Sequence, residues 1–346
     1  MKTILDKILK NRIWVVGVFL LLSLFGIAAM VSLPIDAVPD ITNVQVMINT
    51  KTGALDPEQI EKTVTYAIET EMAGLPRLED IRSLSKYGLS QVILVFHEGT
   101  DLYFVRQQVS QRLQNLREQL PEGMTPELAP VTTGLGEVVM YTVTAKPGST
   151  LAKKTEAERL LYLRTIQDFL IRPELKKVSG IAEIDSGGGY HKEIHVNAQL
   201  DAMEKFGLSF EELHRKLKSV GDSYGGGYIQ KDGKQIIVRT SSNLPNIEKI
   251  GQIPVRIDSR GKPILLKQVA NIREDHTQRL GAATYNGEEA VLGTALMYIG
   301  ANSRSVSLDV VDAISKLKLP NDVQVNIVYT RSFLVDQTVK TVAKSL

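Results

Sequence analysis

The sequence contains no cysteine at all. That absence excludes disulfide bridges, thiolate zinc sites and cysteine nucleophiles together. It also fits an oxidising compartment, where free thiols are a liability. A surplus of charge is missing too, because 41 Lys and Arg face 39 Asp and Glu, leaving a formal net charge of +2. The chain therefore lacks the basic excess that binds nucleic acid.

The remaining composition is that of an ordinary folded protein. Apolar residues make up 43% and charged residues 23% of the 346 positions. These values are typical of globular domains. The length is enough for two or three domains rather than one.

Residues 13–33 are a continuous apolar run without a charged side chain. About 20 such residues are needed for a helix to cross the hydrocarbon core of a bilayer. Basic and acidic residues lie on opposite sides of the run: Lys2, Lys7, Lys10 and Arg12 before it, and Asp36 and Asp40 after it. The positive-inside rule then predicts a cytoplasmic N-terminus and an external location for everything after the run.

A cleaved signal peptide is the alternative interpretation of this run. The run is longer than a usual signal core, and it does not end in a small-x-small cleavage site. We therefore expect an uncleaved anchor. No second run of this kind follows, so the sequence predicts one span and a large external region. If the sequence is a fragment, the next span is expected soon after Leu346.

The first part of the external region is predicted to be a subdomain of the α+β class. Val44, Val46 and Ile48 alternate with polar residues, as in a half-buried strand. Asp56 followed by Pro57 is typical of a helix start. Over residues 37–130 the predicted order is βαββαβ, which indicates a ferredoxin-like sandwich.

The second helix of this subdomain has a clear apolar stripe. It is predicted to begin near Asp101 and to carry leucine and valine on one face as far as Leu120. Pro121 is expected to end it.

Parts of this pattern recur later in the chain. Residues 75–81 have a counterpart in 175–181, and the Leu-Pro turn at 120–121 has one at 319–320. The recurrence predicts a second α/β subdomain that is interrupted by an insert. The insert is predicted to be β-rich, with a helix at 210–220 that begins with Ser209 and Glu212 as a capping box. The expected division is 1–36 (N-terminus and transmembrane helix), 37–130 (first subdomain), 131–180 and 280–332 (halves of the second subdomain), 181–279 (insert) and 333–346 (approach to a further span).

Several segments resemble one transporter family, in order along the chain. They are LPIDAVPDITNVQV at 33–46, MAGLP at 72–76, RSLSKYGLSQV at 82–92, TGLGE at 133–137, and QDF at 167–169 before Arg172-Pro173. Together they resemble heavy-metal efflux pumps of the resistance-nodulation-division (RND) type, and the cobalt-zinc-cadmium branch more than the copper-silver branch. The resemblance continues to residues 329–331 and so covers nearly the whole chain.

The resemblance implies a transporter rather than an enzyme. Such pumps are homotrimers of the bacterial inner membrane that couple proton entry to metal export. They work with a periplasmic adaptor (membrane fusion) protein and an outer-membrane channel. No resident cofactor is implied, because a divalent ion such as zinc, cobalt or cadmium is the cargo. The two α/β subdomains correspond to porter subdomains, and the insert to the docking (funnel) subdomain.

Two acidic residues match the metal cleft of the zinc-type relatives. Glu137 follows Gly134-Leu135-Gly136 and opens a strand, and Asp168 lies on the following helix. Carboxylates without thiolates suit a borderline ion that must be released again. Glu137 and Asp168 are therefore the predicted metal ligands. The alternative is a strand-end surface acid and a helix salt-bridge partner.

Other candidate ligands are weaker. His191 and His195 are four residues apart, which on a strand places them about 13 Å apart, so we expect surface histidines. The methionines do not cluster and are predicted to fill the core. The glycine runs at 187–189 and 225–227 lack the Lys-Ser/Thr of a phosphate-binding loop and are predicted to be turns.

One departure from the family pattern limits the prediction. The proton relay of these pumps is an acidic residue in a later transmembrane helix, and residues 13–33 contain no titratable side chain. The sequence is thus expected to be the N-terminal portion of a pump. The alternative function is a stand-alone membrane-anchored module that binds a metal or a protein without transporting anything.

Overall fold

The computed structural model describes residues 11–32, 42–53, 55–117, 119–121, 123–132, 134–220, 225–231, 234–239, 247–258, 261–277 and 281–345. The chain divides into two compact units. The first unit comprises Met1–Thr144, Gln167–Ser186 and Leu292–Leu346, and the second comprises Ala145–Ile166 and Gly187–Val291. The predicted subdomain boundaries at 130, 180 and 279 stay a prediction.

Helix α1, Arg12–Ser32, covers the apolar run that opens the sequence. Its side chains from Ile13 to Phe25 are exposed for most of their length, with Ile13 at 81% and Phe25 at 71%. None of the helices in the described part of the chain combines the length and apolarity required to cross a membrane. The charged flanks 1–10 and 33–41 lie outside the described residues.

The first sheet belongs to the first unit. It has four antiparallel strands in the order β2-β3-β1-β4. The strands are β1 Val44–Lys51, β2 Leu78–Lys86, β3 Leu89–Phe96 and β4 Pro126–Leu128. In the register of the central pair, Val46 lies opposite Leu94, and both side chains are buried. The alternation that predicted β1 is therefore confirmed.

Two helices supply the other half of this core. Helix α2 consists of Pro57–Ile60, a π-helical turn Glu61–Thr65, and Tyr66–Met72. It begins as predicted, because Asp56 Oδ1 accepts a hydrogen bond of 3.0 Å from the Gln59 backbone N–H. Helix α3 is Leu102–Leu116. The strands and helices enclose a continuous cluster that includes Val46, Ile48, Ile68, Met72, Val92, Leu94, Val105, Val109 and Leu113.

The start of α3 is confirmed, but its predicted end is wrong. Asp101 caps the helix by accepting from the backbone N–H groups of Tyr103 (2.8 Å) and Phe104 (3.3 Å). The helix ends at Leu116 rather than continuing to Leu120. Leu120 is still buried, at 7% exposure, but from a turn in which Gln119 N–H bonds to Leu116 O. Apolar spacing alone therefore overestimated the length of the helix.

The second sheet contains strands β5 Glu137–Ala145, β6 Ile181–Gly187, β13 Ala283–Tyr285, β14 Glu288–Met297 and β15 Val323–Thr330. Its order is β13-β14-β5-β15, and β6 also pairs with β14. Without the short β13, the strands lie side by side in the order β6-β14-β5-β15. Counted along the chain, these are the second, third, first and fourth strands of the sheet. The first sheet has the same order. A helix follows the first and the third of these strands in both sheets.

Helix α4 follows β5, and helix α8, Ser303–Lys316, follows β14. Helix α4 consists of Glu156–Ile166, a π-helical turn Gln167–Ile171, and Arg172–Leu175. Both helices bring buried apolar residues to the sheet, among them Ile171 and Val310. The last helix, α9, is Arg331–Ser345.

The second unit has its own core. Strands β7 Lys192–Ala198 and β12 Ala270–His276 pair, as do β8 Gly225–Lys231 with β9 Lys234–Arg239 and β10 Pro254–Ile257 with β11 Pro263–Leu265. Its short helices are α5 Leu200–Lys205, α6 Phe210–Val220 and α7 Ile247–Gly251. The core includes Met203, Leu213, Ile250, Leu266 and Val269.

The predicted helix at 210–220 is confirmed, and so is its start signal. Ser209 Oγ accepts from Glu212 N–H, and Glu212 Oε2 accepts from Ser209 N–H, each at 3.1 Å. This reciprocal pair is a complete capping box.

Replacement of Gly293 by alanine tests the packing of the second sheet. A Cβ at Gly293 would lie 2.1 Å from Tyr141 Cζ, so the buried ring or the strand must move. We expect Gly293→Ala to lower the free energy of unfolding by about 1–3 kcal/mol. Gly281→Ala is the matched control, because nothing lies within 4 Å of its Cβ position. Equal thermal unfolding temperatures for the two variants would contradict the packing described for Tyr141.

Candidate metal centre

Glu137 is the first residue of β5 and is half-buried. The preceding Gly136 carbonyl accepts a hydrogen bond of 2.8 Å from Met297 N–H, so the start of β5 is attached to the end of β14. Tyr141 lies four residues further along the same strand. Alternate residues of a strand share a face, so Glu137 and Tyr141 lie on one face about 13 Å apart.

Asp168 occupies the second position of the π-helical turn in α4. Pro173 explains why the helix widens there. A proline ring clashes with the carbonyl four residues earlier and offers no N–H, and that earlier residue is Phe169 within the turn. The carboxylate of Asp168 is partly buried, with its Oδ1 atom shielded from solvent.

The residue next to Asp168 anchors the turn. Gln167 is completely buried, and its amide Nε2 donates to Ser186 Oγ at 3.0 Å. The Tyr141 hydroxyl lies 3.2 Å from Gln167 Oε1, to which it donates, and 3.1 Å from Nε2. One side-chain amide thus links α4 to β5 and β6. A buried polar group of this kind requires such partners, because leaving it unsatisfied costs about 1–3 kcal/mol.

Tyr141 is itself fully buried. Burial raises the pKa of Tyr141 far above its usual range, and the negative charge of Asp168 acts in the same direction. The hydrogen bond with Gln167 and the charge of Arg172 oppose this rise in pKa without cancelling it. The phenol therefore stays protonated and remains a hydrogen-bond donor at neutral pH.

The two predicted ligands lie on strand β5 and helix α4, which the Tyr141–Gln167 hydrogen bond joins. Glu137 is attached to Tyr141 through β5, and Asp168 adjoins Gln167, which contacts Tyr141. Within the described ranges, no three His, Asp or Glu side chains form a group that could hold a metal ion. Ligation by Glu137 and Asp168 stays a prediction.

A group of side-chain ion pairs beside this site was not predicted from the sequence. Glu183 on β6 accepts from Arg172 Nη2 at 3.0 Å and from Lys176 Nζ at 2.8 Å. Burial alone would raise the pKa of the Glu183 carboxyl, but the bonds from Lys176, Arg172 and the Ile184 N–H outweigh it and lower the pKa. The four-residue spacing of Arg172 and Lys176 on a helix was the signal that could have found this network.

His191 and His195 both lie in the second unit. His195 lies on β7, with 34% of its side chain exposed. Its Nε2 atom is 3.2 Å from Glu193 Oε2, and its Nδ1 atom is 3.6 Å from Asp275 Oδ2. The two carboxylates face opposite ring nitrogens and so do not converge on one point. Contacts with Glu193 and Asp275 therefore account for His195.

Two methionines are in the cores, as predicted. Met72 is 0% exposed in the first unit and Met203 is 4% exposed in the second. Met47 lies on β1, where Gln91 Nε2 approaches its sulfur at 3.3 Å.

The amino-acid sequence matches a known protein family. Residues 4–346 match the sequence pattern of the AcrB/AcrD/AcrF family, which is almost the entire chain. The chain belongs to this family. The resemblance to RND efflux pumps, stated first on short motifs, is thereby confirmed.

The similar family members include metal-resistance proteins. The chain is 43% identical over 333 residues to the cobalt-zinc-cadmium resistance protein CzcA of Cupriavidus metallidurans, covering 94% of this chain and 31% of the relative. It is 42% identical to the nickel-cobalt-cadmium resistance protein NccA of Alcaligenes xylosoxydans xylosoxydans, covering 91% and 31%. For the cation efflux protein CusA of Escherichia coli K12 the values are 31%, 99% and 32%. The chain thus spans about a third of the length of its relatives.

Solved structures agree with the sequence relationship. A crystal structure described as a heavy metal efflux pump superposes with a TM-score of 0.85 at 28% identity. The superposition covers 97% of this chain and 33% of the solved chain.

The Glu183 network predicts a specific pH dependence of stability. Because the pKa of Glu183 is lower in the folded than in the unfolded chain, its ionised form favours folding. We expect Glu183→Gln to lower the free energy of unfolding at pH 7 by about 1 kcal/mol, since both cations are half-exposed. The difference is expected to shrink as the pH falls below about 4.3, the ordinary pKa of glutamate, and to vanish once the pH is below the lowered pKa of Glu183 in the folded chain.

The control is Glu174→Gln in helix α4, which also carries Arg172. Glu174 pairs with Lys177 at 2.7 Å, but both side chains are largely exposed, so little change is expected at any pH. Denaturant unfolding at several pH values measures both variants. A pH-independent effect of Glu183→Gln would disprove the electrostatic interpretation.

Proposed function

We propose that this chain is the N-terminal portion of a proton-driven efflux pump for divalent heavy-metal cations, of the zinc, cobalt and cadmium type. The observation that carries the proposal is the 43% identity, over 94% of this chain, to a protein named for cobalt, zinc and cadmium resistance. The lower identity of 31% to CusA favours the zinc-type branch over the copper-type branch.

We assign the two sheets, each with its two helices, to two ferredoxin-like porter subdomains. The shared strand order of the sheets supports this assignment. The first subdomain is then 37–130, and the second is formed by 131–180 and 280–332 together with strand β6, Ile181–Gly187, which pairs with β14. The rest of the β-rich insert, predicted at 181–279, is the docking subdomain. A compact second unit with its own core supports a separate role for this insert.

Helix α1 is proposed to anchor the chain in the bacterial inner membrane. Its apolar side chains from Ile13 to Phe25 are exposed, and water is an unfavourable environment for so much apolar surface. The basic residues before it support a cytoplasmic N-terminus by the positive-inside rule. The bulk of the chain is then periplasmic.

The pump is proposed to work as a homotrimer that is joined by a periplasmic adaptor protein and an outer-membrane channel. Membership of the AcrB/AcrD/AcrF family supports this assembly. Proton coupling is assigned to the part of the relatives that extends beyond this chain, because α1 has no titratable side chain between Ile13 and Ser32.

Glu137 and Asp168 are proposed to supply part of the metal cleft. A divalent cation compensates the cost of holding carboxylates in partly buried positions, and two oxygen donors bind weakly enough to release it. The remaining ligands are expected from the portion of the transporter that this chain does not include. Transport then needs no covalent chemistry, only alternating exposure of the cleft.

A metal-resistance assay tests this assignment. In cells that depend on the full-length transporter, Glu137→Ala and Asp168→Ala are expected to lower tolerance to zinc, cobalt and cadmium at unchanged protein levels. Each variant removes a negative ligand and weakens binding of the cation.

The control for this assay is Asp312→Ala, which removes an exposed acid of helix α8 that pairs with Lys316. It is expected to leave resistance unchanged. Unchanged resistance in both the Glu137 and the Asp168 variant would remove these residues from the cleft.

A reporter that is active only outside the cytoplasm tests the membrane topology. Fusions after Lys51 are expected to be active, and fusions after Lys10 inactive, because the basic residues hold the N-terminus inside. Exchange of Lys7 and Lys10 for glutamate is expected to reduce the activity of the outer fusion. Activity of both unmodified fusions would contradict the proposed orientation.

A further inference from the structure

The direction of the Asp168 carboxylate depends on a widened helix turn. A π-helical turn accommodates one extra residue and is marginal by itself, so it needs tertiary contacts to hold its shape. Pro173 explains why regular α-helix is disfavoured here, but it does not determine how the turn is oriented. The buried side chain beside Asp168, Gln167, makes the contacts between this turn and the sheet.

Gln167 has the contacts that such a role requires. Its amide is 0% exposed and lies within 3.2 Å of the Tyr141 hydroxyl and within 3.0 Å of Ser186 Oγ. Tyr141 is on β5 and Ser186 is on β6, so the amide is held from two strands. A planar amide with two fixed partners has little rotational freedom. The backbone that carries this amide is therefore restrained as well.

Tyr141 is itself held in place by another strand, β14. Its ring lies over Gly293 on β14, so close that even a methyl group at that position would overlap it. Gly293, Tyr141 and Gln167 thus form a continuous chain of contacts that ends at the residue preceding Asp168. Glu137 is connected to the same chain, because it belongs to the strand that carries Tyr141.

We propose that Gln167 and Tyr141 are positioning residues for metal binding: the amide held by Tyr141 and Ser186 fixes the π-helical turn and thereby directs the Asp168 carboxylate into the cleft. The inference rests on the proposed function, since it presumes that Asp168 is a ligand. Neither residue touches the ion. Side chains that orient a metal ligand commonly change metal affinity about 10–100-fold when they are replaced.

The first helix of the other sheet provides an internal comparison. Thr65 ends the π-helical turn of α2, is 1% exposed, and bonds to Ser85 at 2.7 Å and Ser90 at 2.8 Å. It too connects a widened turn to two strands. No predicted ligand adjoins it. Loss of this contact therefore reports the structural cost of such a network without the effect on a metal site.

The test is zinc binding to the purified full-length transporter, measured by equilibrium dialysis together with cadmium binding. Gln167→Leu and Tyr141→Phe are expected to raise the Kd for zinc about tenfold and to change the ratio of zinc to cadmium affinity. Gln167→Glu, which keeps an acceptor for the Tyr141 hydroxyl, is expected to bind zinc more tightly than Gln167→Leu. Thr65→Val is expected to lower the unfolding temperature but to leave both Kd values unchanged.

The outcomes separate the inference from the proposal on which it rests. If Asp168→Asn binds zinc as tightly as the unmodified protein, the proposed ligand itself is wrong. If Asp168→Asn weakens zinc binding while Gln167→Leu and Tyr141→Phe only lower the unfolding temperature, as Thr65→Val does, the positioning role is overturned. Should Gln167→Leu fail to fold, Tyr141→Phe, which removes a single hydroxyl, decides the question in the same way.

Discussion

The buried side-chain amide of Gln167 is the contact on which the arrangement of the candidate site depends. It satisfies the Tyr141 hydroxyl and Ser186 Oγ, and both Gln167 and Tyr141 are buried. Because buried polar groups are costly when unpaired, the helix and the two strands can hardly shift independently of one another. The ionic contacts from Arg172 and Lys176 to Glu183 add a second attachment between the same helix and β6.

The two sheets attach their first helices through different buried polar side chains. In each, the helix after the first strand contains a π-helical turn, and a buried polar side chain of that turn reaches two strands. A hydroxyl cluster around Thr65 performs this role in one case and the Gln167 amide in the other. A hydroxyl can rotate to suit its partners, whereas an amide has a fixed planar geometry. The second arrangement is the more directional of the two.

Much of the fold was accessible from the sequence, because local signals decide it. Asp56, Asp101 and Ser209 mark helix starts that the structure confirms, and alternating residues predicted β1. The end of α3 at Leu116 was not predictable, because Leu120 is buried from a turn and imitates a helical position. For the candidate site, the sequence located Glu137 and Asp168, but not the network beneath them. That network joins residues far apart in the chain, and pairing of this kind leaves no periodic pattern.

The second sheet also has a consequence for the order of events during synthesis. Thr144 on β5 accepts side-chain hydrogen bonds from Gln324 (3.2 Å) and Asn326 (2.9 Å) on β15, across a sequence separation of 180 residues in the first case. At ribosomal speeds, β5 therefore waits about 10–40 s for its neighbouring strand. Both edges of β5 are open until β14, Glu288–Met297, has been made, and one edge stays open until β15 follows. An open strand edge is a template for wrong pairing. The core of the second unit comes from residues between 203 and 270 and is synthesised before this sheet can close.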